Sequence, residues 1–169
     1  MKKTTLLLLF YSFTFLLTAQ NKSKEDSQIK KQVLIGELTL EVFDTELCKN
    51  WYAPEYKEYH TNAKVLKKLK DVNLKQINIT LVLGSWCHDS HREVPHFIKI
   101  LKEIKFPLDQ LQIYALDTHK SAPDFDAKAD NIMYVPTAII SREGREIGHI
   151  IEQPKKSLEK DLMKIILKN

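Results

Sequence analysis

Apolar and polar positions alternate along this chain in a way that changes period several times. Ile77–Leu83 (INITLVL) is a compact β-branched run and predicts a buried central strand. Gly84-Ser85-Trp86 follows as a loop. From His88 to Lys105 the apolar residues Val94, Phe97, Ile98, Leu101 and Ile104 recur at helical spacing, with Pro95 inside the helix as a kink. Leu111–Leu116 predicts a second buried strand. Ser121–Asn131 is polar and predicts a short helix. Thr137–Ser141 predicts a third strand, entered through Val135-Pro136, and a turn at Arg142–Arg145 leads into a fourth strand, Glu146–Ile151. Lys155–Leu167 closes the chain as an amphipathic helix with Leu158, Leu162, Ile165 and Ile166 inward. The alternation of strand and helix in the first half favours parallel pairing with a crossover helix, and the Gly144 turn makes the last two strands an antiparallel hairpin. The expected fold class is α/β, a mixed sheet with helices on both faces.

Upstream of this core the pattern is less regular. Val33–Phe43 mixes apolar and polar positions and predicts a short strand. Thr45–Leu69 reads as helix, with Trp51, Tyr52, Tyr56 and Tyr59 near helical spacing and Val65, Leu66 and Leu69 continuing the stripe; Pro54 either starts a new helix there or kinks this one. The aromatic residues suit a core or a lid on the sheet better than a ligand box. The expected organisation is an N-terminal helical extension over 33–75 and a core over 76–169. Gln20–Gln32 is polar and reads as a flexible leader.

The first residues have a different character. Lys2 and Lys3 precede an apolar run of twelve residues, Leu6–Leu17, and Thr18-Ala19-Gln20 offers a small-residue cleavage point. This is the layout of a secretory signal peptide over 1–19. The run falls short of the roughly 20 apolar residues of a membrane-spanning helix. No cysteine lies near the cleavage point, which excludes a bacterial lipoprotein anchor. The expected location is therefore outside the cytoplasm, in a periplasm, with no membrane span after cleavage.

Charge changes the picture little. The formal net charge of the 169-residue chain is +4, and cleavage after Ala19 would lower it to about +2, too small an excess to drive phosphate binding, so nucleic acid is not an expected partner. Only four glycines argue against a turn-rich all-β fold. The two cysteines, Cys48 and Cys87, are too few for a disulfide-stapled fold, and spacing alone leaves open one bridge or two separate thiols.

The chemistry gathers in Trp86-Cys87-His88-Asp89-Ser90. Cys87 falls after a strand and at the start of a helix, where unpaired N–H groups and the positive end of the helix dipole stabilise a thiolate and make it nucleophilic. A protonated His88 would act in the same direction and Asp89 would oppose it. Cys87 and His91, four apart on a helix, could face one soft ion such as copper or zinc, with His119 or His149 completing the set, but one cysteine and one histidine form a weak metal signature. Solvent-facing histidines around a loop are the simpler reading, and the pattern requires no cofactor. Asp117, after the second strand, reads as a loop cap.

The strand INITLVL, the segment GSWCHDS, the helix kinked at Pro95, Val135-Pro136 before TAIIS and the hairpin GREIGHIIEQP together resemble the thioredoxin-like superfamily over roughly Ile77–Leu167. The form of the motif and of the C-terminal segment is similar to exported bacterial thioredoxin-family proteins of unassigned substrate. The resemblance implies that Trp86-Cys87 is the family's Trp-Cys and that Pro136 is its cis-proline beside the reactive cysteine. It implies that Trp86, His88, Val135 and Pro136 frame a substrate groove. The usual Cys-x-x-Cys is here Cys-x-x-Ser, so Ser90 could hydrogen-bond the thiolate but cannot resolve a mixed disulfide. The family's buried acid, six residues before the reactive cysteine, is replaced by Leu81. Catalysis would rest on Cys87 with Ser90 beside it, in exchange or isomerisation of a disulfide-containing protein or small-molecule thiol, with release by an external thiol donor unless Cys48 takes that part. The other readings are a non-catalytic binding module and metal handling through Cys87 and His91.

Overall fold

The β-branched run Ile77–Leu83 lies at the centre of the sheet, as its composition predicts, with Ile77, Ile79 and Leu81–Leu83 all buried. A computed structural model describes residues 21–168; the expected signal peptide over 1–19 lies outside the described residues. In chain order the elements are β1 (Lys22–Glu25), β2 (Gln32–Leu38), α1 (Lys49–Glu58), α2 (Ala63–Lys70), β3 (Ile77–Leu83), α3 (His88–Glu103), β4 (Leu111–Ala115), β5 (Thr137–Arg142), β6 (Arg145–Ile151) and α4 (Leu158–Ile166), with short 3-10 turns at Leu40–Asp44 and Leu108–Gln110.

These strands form one six-stranded sheet in the order β1-β2-β4-β3-β5-β6. β3 pairs parallel to β4, which requires a crossover, and α3 supplies it. β5 runs antiparallel to β3, and β6 antiparallel to β5. This βαβ unit followed by a hairpin and a helix is a thioredoxin-like mixed sheet flanked by helices. The hairpin turns on Glu143 and Gly144, both with positive φ (50° and 77°), the backbone that a two-residue turn between right-twisted strands demands.

Residues before β3 contribute more than the expected helical extension. β2 joins the main sheet by pairing antiparallel to β4. β1, inside the segment read as a flexible leader, pairs with β2 from Lys22↔Ile35 to Glu25↔Gln32. Its four side chains are exposed, so no apolar pattern announces it. The anchor is polar instead. Asp26 is 1% exposed and accepts the backbone N–H groups of Gln28 and Ile29, together with the N–H and hydroxyl of Thr118. Burial alone would raise its carboxyl, but those donors hold it well below the ordinary value of 3.8.

The long helix expected over 45–69 is two helices. Pro54 sits inside α1 without ending it. The break comes after Tyr59, where the Lys99 ammonium donates to the carbonyls of Tyr56 (2.8 Å) and Tyr59 (2.7 Å) at the negative end of α1, and Asn62 caps α2 by accepting from the Val65 N–H. Glu159 of α4, buried at 1% exposure, accepts the Tyr59 hydroxyl and the Asn62 N–H and so ties this corner to the C-terminal helix. The helix expected over Ser121–Asn131 does not form. Ala122 and Phe125 make an isolated bridge, and Asp126, accepting the N–H groups of Lys128 and Ala129, opens a single turn that stops at Asn131, where φ is positive (53°).

Two stability measurements follow. Lys99→Met should lower the unfolding free energy by about 1–2 kcal/mol in a denaturant titration, because the carbonyls at the end of α1 lose a charged donor. Asp26→Asn should melt below the wild type at pH 7. A depressed carboxyl stabilises the fold above its unfolded value near 4 and loses that contribution as pH falls. The gap in Tm should therefore narrow progressively as pH falls below about 4, and a pH-independent gap would contradict the assignment.

Candidate functional site

The site forms where β3 ends and α3 begins. Cys87 is the N-cap residue of α3, with extended backbone (φ −94°, ψ 126°). Its N–H donates to Gly84 O at 2.9 Å and its carbonyl accepts from the His91 N–H at 3.1 Å, which closes the loop into the first turn. The thiol is partly exposed and donates to Val135 O at 3.1 Å. The Val135–Pro136 bond is cis. Val135 and Pro136 are buried and lie beside the thiol because β5 begins with Thr137 opposite Val82.

The other residues singled out in the motif divide. Trp86 donates its indole N–H to Leu116 O at 2.8 Å, and its ring lies so close to Gly84 that a Cβ there would stand 2.8 Å from the indole. The Lys120 ammonium sits 5.5 Å from the Trp86 ring centroid. His88 is exposed on the first turn of α3. Asp89 accepts from Arg92 at 2.9 Å and from the Gln153 amide at 3.3 Å, linking the first turn to the segment after β6. Ser90 is fully buried, and its hydroxyl oxygen accepts the Gly84 N–H at 3.2 Å. That bond fastens the loop backbone, while the Cys87 sulfur turns to Val135 rather than to Ser90.

Cys48 does not complete the site. The two cysteines are not joined, and Cys48 is fully buried among Phe43, Tyr52 and the residues of the main core. Burial pushes its thiol up to about 11, against a smaller opposing pull from the Thr45 side chain. Leu81 and Leu83 of β3 belong to that same core, whereas Val82, on the opposite face of the strand, belongs to the cluster against which Trp86 and Cys87 pack. The two thiols therefore occupy different apolar clusters, and the resolving role held open for Cys48 finds no geometric support.

His91 does not stand free beside Cys87 either. Its Nε2 lies 2.8 Å from Ser85 O, and its ring stacks on Trp51 of α1. His149 pairs with Glu146 at 2.7 Å. Among the described residues, Asp26, Asp117 and His119 do bring their ligand atoms within 4.8 Å of one another. Both carboxylates are already committed. Asp26 accepts the four donors named above, and Asp117 accepts Lys24 at 2.6 Å and the N–H groups of His119 and Ser121, a loop cap reinforced by an ion pair. Burial would raise the Asp117 carboxyl, but Lys24 and these N–H groups hold it below the usual range.

Sequence reading missed Glu93. It is 8% exposed, receives the Arg92 Nε–H at 2.7 Å, and lines a crevice with Leu81, Pro136, Ala138 and Glu152. A carboxylate of α3 thus stands in the crevice that Leu81 of β3 also lines. Periodicity could have signalled it, since Glu93 falls on the inward side of α3 next to Val94. It also missed Met133 and Tyr134, which are 68% and 53% exposed in the residues leading to Val135.

No protein-family model and no curated protein matches the chain. Among solved structures, a protein of unknown function from Pseudomonas aeruginosa is similar with a TM-score of 0.55 at 10% identity, over 70% of this chain and 82% of its own. An HIV epitope-scaffold is similar with a TM-score of 0.54 at 10% identity, over 70% and 83%. Mitochondrial thioredoxin 3 from Saccharomyces cerevisiae in its oxidized form aligns at 22% identity over 66% and 96%, with a TM-score of 0.38. At 10% identity the first two similarities are ones of fold alone. The helix-bound Cys87 and the buried Cys48 should separate in a labelling experiment. In the native protein a thiol reagent followed by mass spectrometry should modify Cys87 and leave Cys48 unmodified until denaturant is added.

Proposed function

We propose that this chain is an exported thiol–disulfide exchange protein that works through the single reactive cysteine Cys87. The observation that carries the reading is the placement of a partly exposed thiol at the N-terminus of α3, 3.1 Å from the carbonyl of Val135 in the segment that ends at Pro136. There the sulfur faces the first-turn N–H groups and the positive end of the helix dipole. The N-terminal pattern of Lys2, Lys3 and Leu6–Leu17 supports export to a periplasm.

The chemistry balances without a cofactor. Cys87 as thiolate attacks one sulfur of a substrate disulfide. The Cys87–sulfur bond forms, the substrate S–S bond breaks, and the departing thiolate takes up a proton. Ser90 cannot perform the second attack, and Cys48 is buried away from the site. An external thiol, or another thiol of the same substrate, attacks the mixed disulfide and releases Cys87. In the second case the substrate's disulfides are rearranged with no net change in oxidation state, which is isomerisation. Trp86, His88, Val135 and Pro136 form the walls against which the substrate chain would lie.

The test is to isolate the mixed disulfide. Wild-type protein exposed to a disulfide-bonded polypeptide should form an adduct that a reductant removes, and Cys87→Ala should form none. Ser90→Cys should supply an internal resolving thiol, shorten the lifetime of the adduct by roughly 100-fold through the advantage of an intramolecular attack, and confer net disulfide reduction when a reductant is present. Absence of any adduct under both oxidising and reducing conditions would leave the fold as a non-catalytic scaffold.

A further inference from the structure

The loop that carries Cys87 is held from outside the βαβ–ββα core. Its backbone makes the expected local bonds, Cys87 N–H to Gly84 O and His91 N–H to Cys87 O. Two further contacts come from the residues before β3. The Leu34 N–H of β2 donates to the Ser85 hydroxyl oxygen at 2.8 Å across 51 residues of sequence. The Trp51 indole of α1 stacks on the His91 ring with centroids 4.5 Å apart and planes 13° apart. His91 in turn places Nε2 at 2.8 Å from Ser85 O. A carbonyl oxygen only accepts, so the ring carries a proton on Nε2. Trp51 is itself fixed, by its indole N–H on Leu47 O at 3.1 Å and by an edge contact with Phe43.

Ser85 is thus gripped at its hydroxyl and at its carbonyl, two residues before the thiol. The hydroxyl is held by β2, and the carbonyl is held by an imidazole that α1 keeps in plane. The first grip comes from outside the strand and the helix that the loop connects; the second is made by His91 of α3, whose ring is backed by Trp51 of α1. We infer that His91 is a positioning residue for Cys87, and that Trp51 and the segment before β3 are part of the reactive site because they fix His91 on Ser85. This inference rests on the exchange reading for its chemical consequence. The Nε2–H bond and the stacked ring restrict the Gly84–Cys87 backbone, so the sulfur stays at the N-terminus of α3 and beside Val135 instead of sampling orientations in which it meets neither.

The test uses the full chain and a small aromatic disulfide, dithiobis(nitrobenzoate), as the probe. Cys87 attacks one sulfur and releases the coloured aryl thiolate, and mass spectrometry places the adduct. His91→Phe retains a flat ring for Trp51 and removes the donor; the rate should fall by about tenfold, the factor expected for one hydrogen bond of ordinary strength. His91→Gln restores an N–H donor and should recover most of the rate. An unchanged rate in His91→Phe, or equal losses in both variants, would overturn the inference. Should His91→Phe fail to fold by circular dichroism, Trp51→Leu decides: a slower rate supports the tie and a wild-type rate overturns it. Nitrogen NMR of the imidazoles gives a readout independent of reactivity. A slowly exchanging Nε2–H on His91 in the wild type supports the tie even if Cys87 proves inert, an outcome that would sink the exchange reading alone. Rapid exchange of that proton in the native protein overturns the tie itself.

Discussion

The register between β3 and β5 governs the geometry of everything at the site. Val82 lies opposite Thr137, so the antiparallel pairing delivers the two residues before Thr137 to the end of β3, where α3 begins. That register brings Val135 O within 3.1 Å of the Cys87 sulfur although 48 residues separate them. A slip of two residues would preserve the inward faces of both strands and still move this carbonyl by about 7 Å, the rise of two strand residues. The register is secured on both sides of β3, since the parallel ladder with β4 aligns Leu83 with Ala115 and fixes the strand in a second direction.

Around this frame the chain uses buried carboxylates as fasteners. Asp26 joins the N-terminal corner to Thr118, and Glu159 joins the α1–α2 connection to α4. Burial raises the free energy of each carboxylate, yet both are held below their ordinary values because N–H and hydroxyl donors surround them. Buried charge of this kind is stable only when its lone pairs are filled. The elements before β3 are thereby attached firmly enough for Leu34 to hold Ser85 and for Trp51 to pack on His91.

The contrast between legible and illegible features follows from the range of the forces involved. β3, α3 and α4 were readable because their apolar residues repeat with the period of the element and pack into one core. The break of the expected 45–69 helix was not readable, because it depends on Lys99, forty residues downstream, capping carbonyls that Pro54 alone does not free. β1 was read as leader because all four of its side chains are exposed and its anchor, Asp26, looks like any surface acid until Thr118 is placed against it. The expected Ser121–Asn131 helix is reduced to a single turn because polar composition does not reveal that the turn opened by Asp126 ends at Asn131, whose φ is positive. At the site, Cys87, Trp86 and Val135-Pro136 were visible as a motif, whereas Glu93, Ser85, Trp51 and the actual partner of Ser90 were not.

What the sequence determined by itself is the run of strands and helices from β3 onward, Ser121–Asn131 apart, and the residue types at their junctions. One cysteine falls between a strand and a helix, a serine stands three residues after it, and a proline precedes the strand that returns beside them. Those are local facts, set by residue type and by periodicities of two and 3.6. Only the tertiary structure decided which groups those residues meet. It turned the Cys87 thiol to Val135, committed Ser90 to Gly84, buried Cys48 in a different apolar cluster and drew His91 between Trp51 and Ser85. The reason is that a hydrogen bond or a ring stack is satisfied by whichever partner the packed chain brings within about 3–5 Å, and sequence spacing carries no record of that partner when it lies dozens of residues away.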